Sequence, residues 1–457
     1  MPAEFETFET AGEFGPGASA LPIVPQTTGR LLVVLRQDQM QEGLMALSNR
    51  AGLNLSNVAS TTDFAAETGV SGETLQAAST VVFEQLGVAV IRPDPDQVEA
   101  MTSAAMASPA IEASEPEQVE YALADGLGGL ARVASAEYLR GYQAAVNQLV
   151  DGLLGSTRRE QRGVVAEEAV AAVDVSQATW GLHVSRVVES QFSGRGVRVA
   201  VLDTGMDLTH PDFIGRNITH QSFIQGESVQ DGNGHGTHVI GTACGPLRPQ
   251  HLPRYGVAYE ADIFAGKVLS NQGSGADGGI LAGIDWAVQN GCRIISMSLG
   301  APVFSGQRPS AVYETIGRRA LEAGTLIIAA AGNESSRPVF ISPVGRPANS
   351  RSIFAVAAVD SSRAVASFSN GGINPNGGAV NIAAAGVGVY SSVPMPRRYA
   401  TLNGTSMATP HVSGIAALHL QANPGLSALD LARLLLRSAQ SLRLPRRDVG
   451  RGLVLAP

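Results

Sequence analysis

Three polar stretches of this chain carry the residue types that nucleophilic catalysis needs, and each stands at the end of an element. In the first, Ser406 follows the turn Asn403-Gly404-Thr405 and precedes an apolar helical run from Val412 to Leu420. A hydroxyl at a helix start faces unpaired N–H groups and the positive end of the dipole, which suits a nucleophile that generates an oxyanion. Serine is also a common helix cap, so this position alone decides nothing. A serine hydroxyl is a weak nucleophile and needs a general base, which in turn needs an orienting carboxylate. Both types stand upstream. The run Val197 to Leu202 reads as a buried parallel strand that ends at Asp203, and catalytic groups collect at the carboxyl ends of such strands. The glycine-rich turn Asp231 to Gly234 then leads into a second helix with His235 near its start.

These stretches belong to a longer series. VAVLDTGMDLTHPDF runs from Val199 to Phe213, DGNGHGTHVIGT from Asp231 to Thr242, and SMSLG from Ser296 to Gly300. AAAGNES runs from Ala329 to Ser335 and NGTSMATPHVSG from Asn403 to Gly414. In these motifs and their order the chain, from about Thr179 onward, resembles the subtilisin-like serine proteases, the subtilases of peptidase family S8. The resemblance implies Ser406 as nucleophile, His235 as base and later acid, and Asp203 as the group that fixes the imidazole tautomer. It implies Asn333 as the oxyanion-hole side chain. It also implies that an extended peptide pairs beside Ser298, Leu299 and Gly300, while Gly300 with Ala330, Ala331 and Gly332 walls the pocket for the residue before the cut. The implied activity is a serine endopeptidase acting through an acyl-enzyme, with no cofactor needed for the chemistry. Family members often hold a structural calcium through an aspartate equivalent to Asp212 and an Asn-bearing loop. Here that loop, Gly245 to Arg254, has no Asn or Asp and two arginines, so calcium is doubtful and no metal ligand is assigned.

The elements that must position these residues alternate between strand and helix from Val197 to Val359, which implies an α/β fold: a parallel sheet with helices on both faces. A length of 457 residues exceeds one core's usual size and implies at least two domains. Residues 1–28 read as a disordered acidic N-terminus. Residues 29–123 have a β-α-β-β-α-β pattern with its last strand over Ala110 to Glu115, a small ferredoxin-like α+β domain that resembles the inhibitory propeptide preceding many subtilase domains. Residues 124–175 read as a helix over Glu137 to Leu154 and a linker, and 176–457 as the catalytic domain. Self-cleavage between Gly155 and Thr179 is the expected activation step. The first 175 residues carry net charge −15 and the remainder +7, and complementary fields of that size would hold an inhibitory segment on its catalytic domain.

The basic charges are spread along the chain with no aromatic interleaving, which argues against nucleic acid as a partner. No apolar run is long enough to span a bilayer, and the N-terminus lacks a Sec signal pattern. A cytoplasmic protein, or one secreted by a non-Sec route, is therefore expected. Cys244 and Cys292 read as buried small hydrophobes, with a disulfide between them left open. Two other readings remain at this stage: an inactive or permanently inhibited subtilase-like scaffold used for binding, and a serine esterase on the same triad.

Overall fold

The computed structural model describes residues 25–66, 68–123 and 175–457. The acidic segment before Pro25, the helix expected over Glu137 to Leu154 and nearly all of the following linker lie outside those residues.

The N-terminal part opens with β1 (Thr27–Leu35), α1 (Met40–Ala51), β2 (Val58–Ser60) and α2 (Gly72–Ala77). It continues through β3 (Thr80–Phe83), β4 (Val88–Ile91), α3 (Val98–Met106) and β5 (Ile111–Ala122). The strands order as β5-β1-β4-β3-β2, with β1 antiparallel to both β4 and β5. Side chains alternate across a strand, and here both faces are apolar. Leu31, Val33 and Leu35 join a core with Leu44, Leu47 and Met101 of the local helices. Leu32, Val34, Val88 and Val90 join a different core with Ile280, Trp286 and Tyr313 of the C-terminal part. That double burial is why the sequence reads there as an unbroken apolar run. Strand β5 differs from expectation: it was anticipated over Ala110 to Glu115 but extends to Ala122.

In the C-terminal part, β6 (Arg198–Asp203), β7 (Ile218–Ser222), α4 (His235–Cys244) and β8 (Asp262–Lys267) come first. Then follow β9 (Ser274–Ala276), α5 (Asp277–Gln289), β10 (Ile294–Met297), β11 (Leu299–Gly300), α6 (Ala311–Glu322) and β12 (Leu326–Ala330). After β13 (Phe354–Val359), β14 (Ile382–Ala385) and β15 (Val389–Ser392) comes the long helix α7 (Thr405–Ala422). The main sheet has the order β14-β13-β12-β10-β6-β8-β7, and the pairings that build it are parallel. Val239, Val412 and Ile415 of α4 and α7 cover one face through Val199, Val201 and Val356. Ile280, Ile284 and Ile316 of α5 and α6 cover the other through Leu202, Ile295 and Ile327. This is the α/β architecture expected. The N-terminal sheet shares that second core, so α5 and α6 lie between two sheets. Among the described residues no helix is long and apolar enough to cross a membrane.

Candidate active site

Strand β6 delivers Asp203 and helix α4 delivers His235. The imidazole Nδ1 lies 2.7 Å from Asp203 Oδ1, and both residues are buried. An ionised carboxylate can only accept, so this contact places the proton on Nδ1 and leaves Nε2 as the basic nitrogen. Thr204 N also donates to Asp203 Oδ1, at 2.8 Å. The turn ahead of α4 is tied down by Asp231, whose carboxylate accepts from Gly234 N and Thr237 N, both at 2.8 Å, and from Thr237 Oγ1 at 2.7 Å. It accepts from Thr204 Oγ1 as well, at 3.0 Å, and Gly236 N donates back to that hydroxyl at 2.8 Å. Asp231 thus locks the start of the histidine helix to the end of the aspartate strand. Its motif was legible in sequence; this positioning role was not, because the partners are split between two elements.

Helix α7 begins at Thr405, so Ser406 lies in its first turn. Pro410 lacks the N–H that would bond the Ser406 carbonyl four residues back, and Ser298 Oγ supplies that donor at 2.8 Å. In return Ser406 Oγ donates to the Ser298 carbonyl at 3.0 Å. Asn333 follows β12, and its Oδ1 accepts from Thr405 N at 2.9 Å and Thr405 Oγ1 at 2.8 Å. With that end fixed, Asn333 Nδ2 points the other way and donates to the carbonyl of Leu123 at 2.7 Å. Gly404, at φ +151°, permits this approach: a Cβ there would sit 2.9 Å from Leu123 O.

Leu123 arrives at the end of β5, which lies in the cleft as an added antiparallel strand. Ala122 and Tyr121 are in register with Leu299 and Gly300, and Val119 to Tyr121 pair with Ala276 to Ser274 on the opposite side. Ala122 N donates to Gly273 O at 2.9 Å and Leu123 N to Ser298 O at 3.3 Å. The segment Ser298, Leu299 and Gly300 therefore pairs with an extended peptide, and that peptide is the chain itself. Ala330 and Ala331 are buried at the end of β12, and Gly332 N donates to Thr405 Oγ1 at 3.2 Å, so this second group of expected wall residues joins the Ser406 turn. Nothing in the motifs singles out Leu123, whose place depends on pairing with strands about 150 to 180 residues away in sequence.

The remaining polar groups near the cleft have structural partners. Buried His238 bonds the Val389 carbonyl of β15 at 3.1 Å, and burial depresses its pKa to about 3. Burial holds His411 at about 4, with Nδ1 on Met407 O at 2.8 Å. Neither competes with His235 as a base near neutral pH. Lys267 is fully buried and donates to Thr204 O at 2.6 Å and Asn271 Oδ1 at 2.9 Å. Cys244 and Cys292 are free and buried, and burial raises the Cys244 thiol to about 12. Asp212 does not fit a cation: Oδ1 accepts from Gln250 N at 2.7 Å, and Oδ2 from Tyr255 and Tyr399 hydroxyls at 2.6 and 3.0 Å. Among the described residues no His, Cys, Asp and Glu side chains group as metal ligands.

A strand-end carboxylate on an imidazole, a hydroxyl in a helix's first turn and a side-chain amide aimed at a peptide carbonyl make a site suited to acyl transfer from peptides. Comparison with known proteins agrees. Residues 194–452 match the model of the subtilase family. The chain is 40% identical over 262 residues to subtilisin DY of Bacillus licheniformis, covering 57% of this chain and 90% of that protein. It is 43% identical over 251 residues to subtilisin BL of Lederbergia lenta, covering 55% and 86% respectively. An alkaline protease of Alkalihalobacillus alcalophilus is 40% identical over 282 residues, covering 61% and 69%. The chain belongs to the subtilase family. As such it is a serine endopeptidase, a hydrolase that needs no cofactor for its chemistry.

Proposed function

We propose that this endopeptidase is made as a self-inhibited zymogen, with Ser406 as nucleophile, His235 as base and acid, Asp203 as the tautomer-fixing carboxylate and Asn333 as oxyanion donor. Ser406 Oγ attacks the carbonyl carbon and passes its proton to His235 Nε2. The carbonyl oxygen becomes negative against Asn333 Nδ2 and the start of α7. Collapse expels the amine, which takes the proton back from His235, and leaves an acyl-enzyme ester. A water molecule repeats the sequence through the same base and frees the acid and Ser406. Before the first step the hydroxyl proton must leave the Ser298 carbonyl.

The observation that carries this reading is the 2.7 Å bond from Asn333 Nδ2 to Leu123 O, made while β5 fills the cleft. It supports residues 29–123 as an inhibitory propeptide and the Leu123–Ala124 bond as the one to be cleaved, in place of a cut in the stretch from Gly155 to Thr179 that the sequence favoured. The test is to age the purified full chain and read its termini by mass spectrometry while probing with a fluorophosphonate. A new N-terminus at Ala124 and labelling, both lost in Ser406→Ala, are expected. An intact, unlabelled chain under all conditions would instead identify a permanently inhibited scaffold. Labelling with cleavage of esters but not peptides would identify an esterase.

A further inference from the structure

Along the second half of β5 and at the residue just past its end, the buried positions recur every third residue: Glu117, Glu120 and Leu123. Glu117 is matched within its own domain by Arg30, at 2.6 Å. Glu120 is not. It is wholly buried, three residues before Leu123, and its Oε1 lies 3.1 Å from Arg346 Nη1 of the C-terminal part. Taking the Leu123–Ala124 bond as the one to be cut, Glu120 is the fourth residue on its acyl side.

The pocket that receives it is built on residues of the C-terminal part. Arg346 is 4% exposed, and its backbone is fixed by N–H to carbonyl bonds in both directions with Ala301, each 3.0 Å, immediately after the pairing strand β11. Its second guanidinium nitrogen, Nη2, donates to Asp277 Oδ2 at 3.1 Å, while its plane lies 5.3 Å over the Tyr313 ring. Asp277 is held in turn by Tyr313 Oη at 2.8 Å, and the docked strand adds Gln118 N of β5, also at 2.8 Å. One nitrogen of a buried guanidinium therefore serves the enzyme and the other faces the incoming strand. An apolar side chain in that place would leave Nη1 buried without a partner, and a basic one would repel it.

We infer that this pocket selects substrates with an acidic residue at the fourth position before the scissile bond, read by Arg346 with Asp277 and Tyr313 as its supports. The inference rests on the register of the proposed function. It predicts cleavage after sequences of the form acidic-x-x-leucine. Gly300 agrees with the last position, since a Cβ there would stand 3.3 Å from Leu123 Cδ1. Burial lifts the Glu120 carboxyl well above the ordinary range, with Arg346 opposing and Asp277 reinforcing that shift. The preference for Glu over its amide should therefore grow as pH falls.

The test uses the matured full chain and quenched peptides X-Tyr-Ala-Leu-Ala, where X is Glu, Gln, Leu or Lys. The expected result is a kcat/KM for Glu at least about tenfold above Leu and Lys, because a polar subsite rejects side chains that leave it unpaired. Arg346→Met should shrink that ratio towards one. Leu or Lys cleaved as well as Glu by the unmutated enzyme overturns the inference. A second arm needs no chemistry: in the full Ser406→Ala chain, Glu120→Leu should accelerate hydrogen exchange at the Ala122 and Leu123 amides, and unchanged exchange there counts equally against it. If the catalytic reading itself is wrong, no peptide is cut, and the exchange arm still decides whether Arg346 holds the acid.

Discussion

At the scale of single residues, the proposed chemistry is assigned to groups whose neighbours leave them one useful direction. Asn333 has its oxygen fixed by Thr405 on two donors, so its amide can only face the carbonyl in the cleft. Asn333→Ala should lower kcat by about 10²–10³ with little change in KM, a general figure for one lost oxyanion donor that itself comes from a subtilisin. Steady-state kinetics on the matured chain checks it, and a loss confined to KM would point to binding instead. Asp231 acts one step away from the reaction. Asp231→Ala removes the acceptor for the turn before α4 and should cost at least about 1 kcal/mol in stability as well as activity, read from denaturant midpoints and kcat/KM together. The triad candidates and Asn333 were legible because each sits in a contiguous motif beside a strand or helix end. Arg346, Asp277 and Glu120 were not, because their meaning lies in three distant stretches meeting in one pocket.

At the scale of elements, β5 is the part the sequence described least well. Its second half, Pro116 to Ala122, carries two glutamates that suggest solvent, so a strand ending at Glu115 was the natural expectation. Pairing on β9 and β11, together with the Arg30 and Arg346 partners, overrides that local pattern. The same feature makes docking of β5 pH dependent. Glu120 is held well above a free glutamate's value of 4.5 by burial, against Arg346 and together with Asp277, with Tyr313 also facing the cluster. Docking therefore takes up a proton. Its contribution is complete below about 4.5 and is lost as pH rises through the elevated value. Hydrogen exchange at Leu123 in the full Ser406→Ala chain, corrected for intrinsic rates, should show protection declining with pH, and Glu120→Gln should flatten the profile. A native profile already flat would speak against the linkage.

At the scale of the whole molecule, two sheets sandwich α5 and α6, and the N-terminal sheet adds apolar contact to the charge complementarity apparent in the sequence. The main sheet was legible from its β-branched runs. Both edge strands escaped notice: β7, Ile-Thr-His-Gln-Ser, because a half-solvated edge needs few apolar residues, and β14, Ile-Ala-Ala-Ala, because it carries a single β-branched residue. Asp212 joins three separate stretches through Gln250, Tyr255 and Tyr399, with protons already directed at both its oxygens. The thermal midpoint should accordingly be the same in excess chelator and in millimolar calcium, and a rise of several degrees with calcium in a melting scan would contradict this. A last consequence follows from Lys267, the sole lysine of the chain, sealed with none of its side chain exposed. All the cationic side chains that solvent reaches at alkaline pH are guanidinium groups, which stay charged beyond the range where amines discharge. Lysine acetylation, methylation and lysine-directed crosslinking find no accessible ammonium side chain among the described residues, so they leave the side-chain charges of that surface as they were.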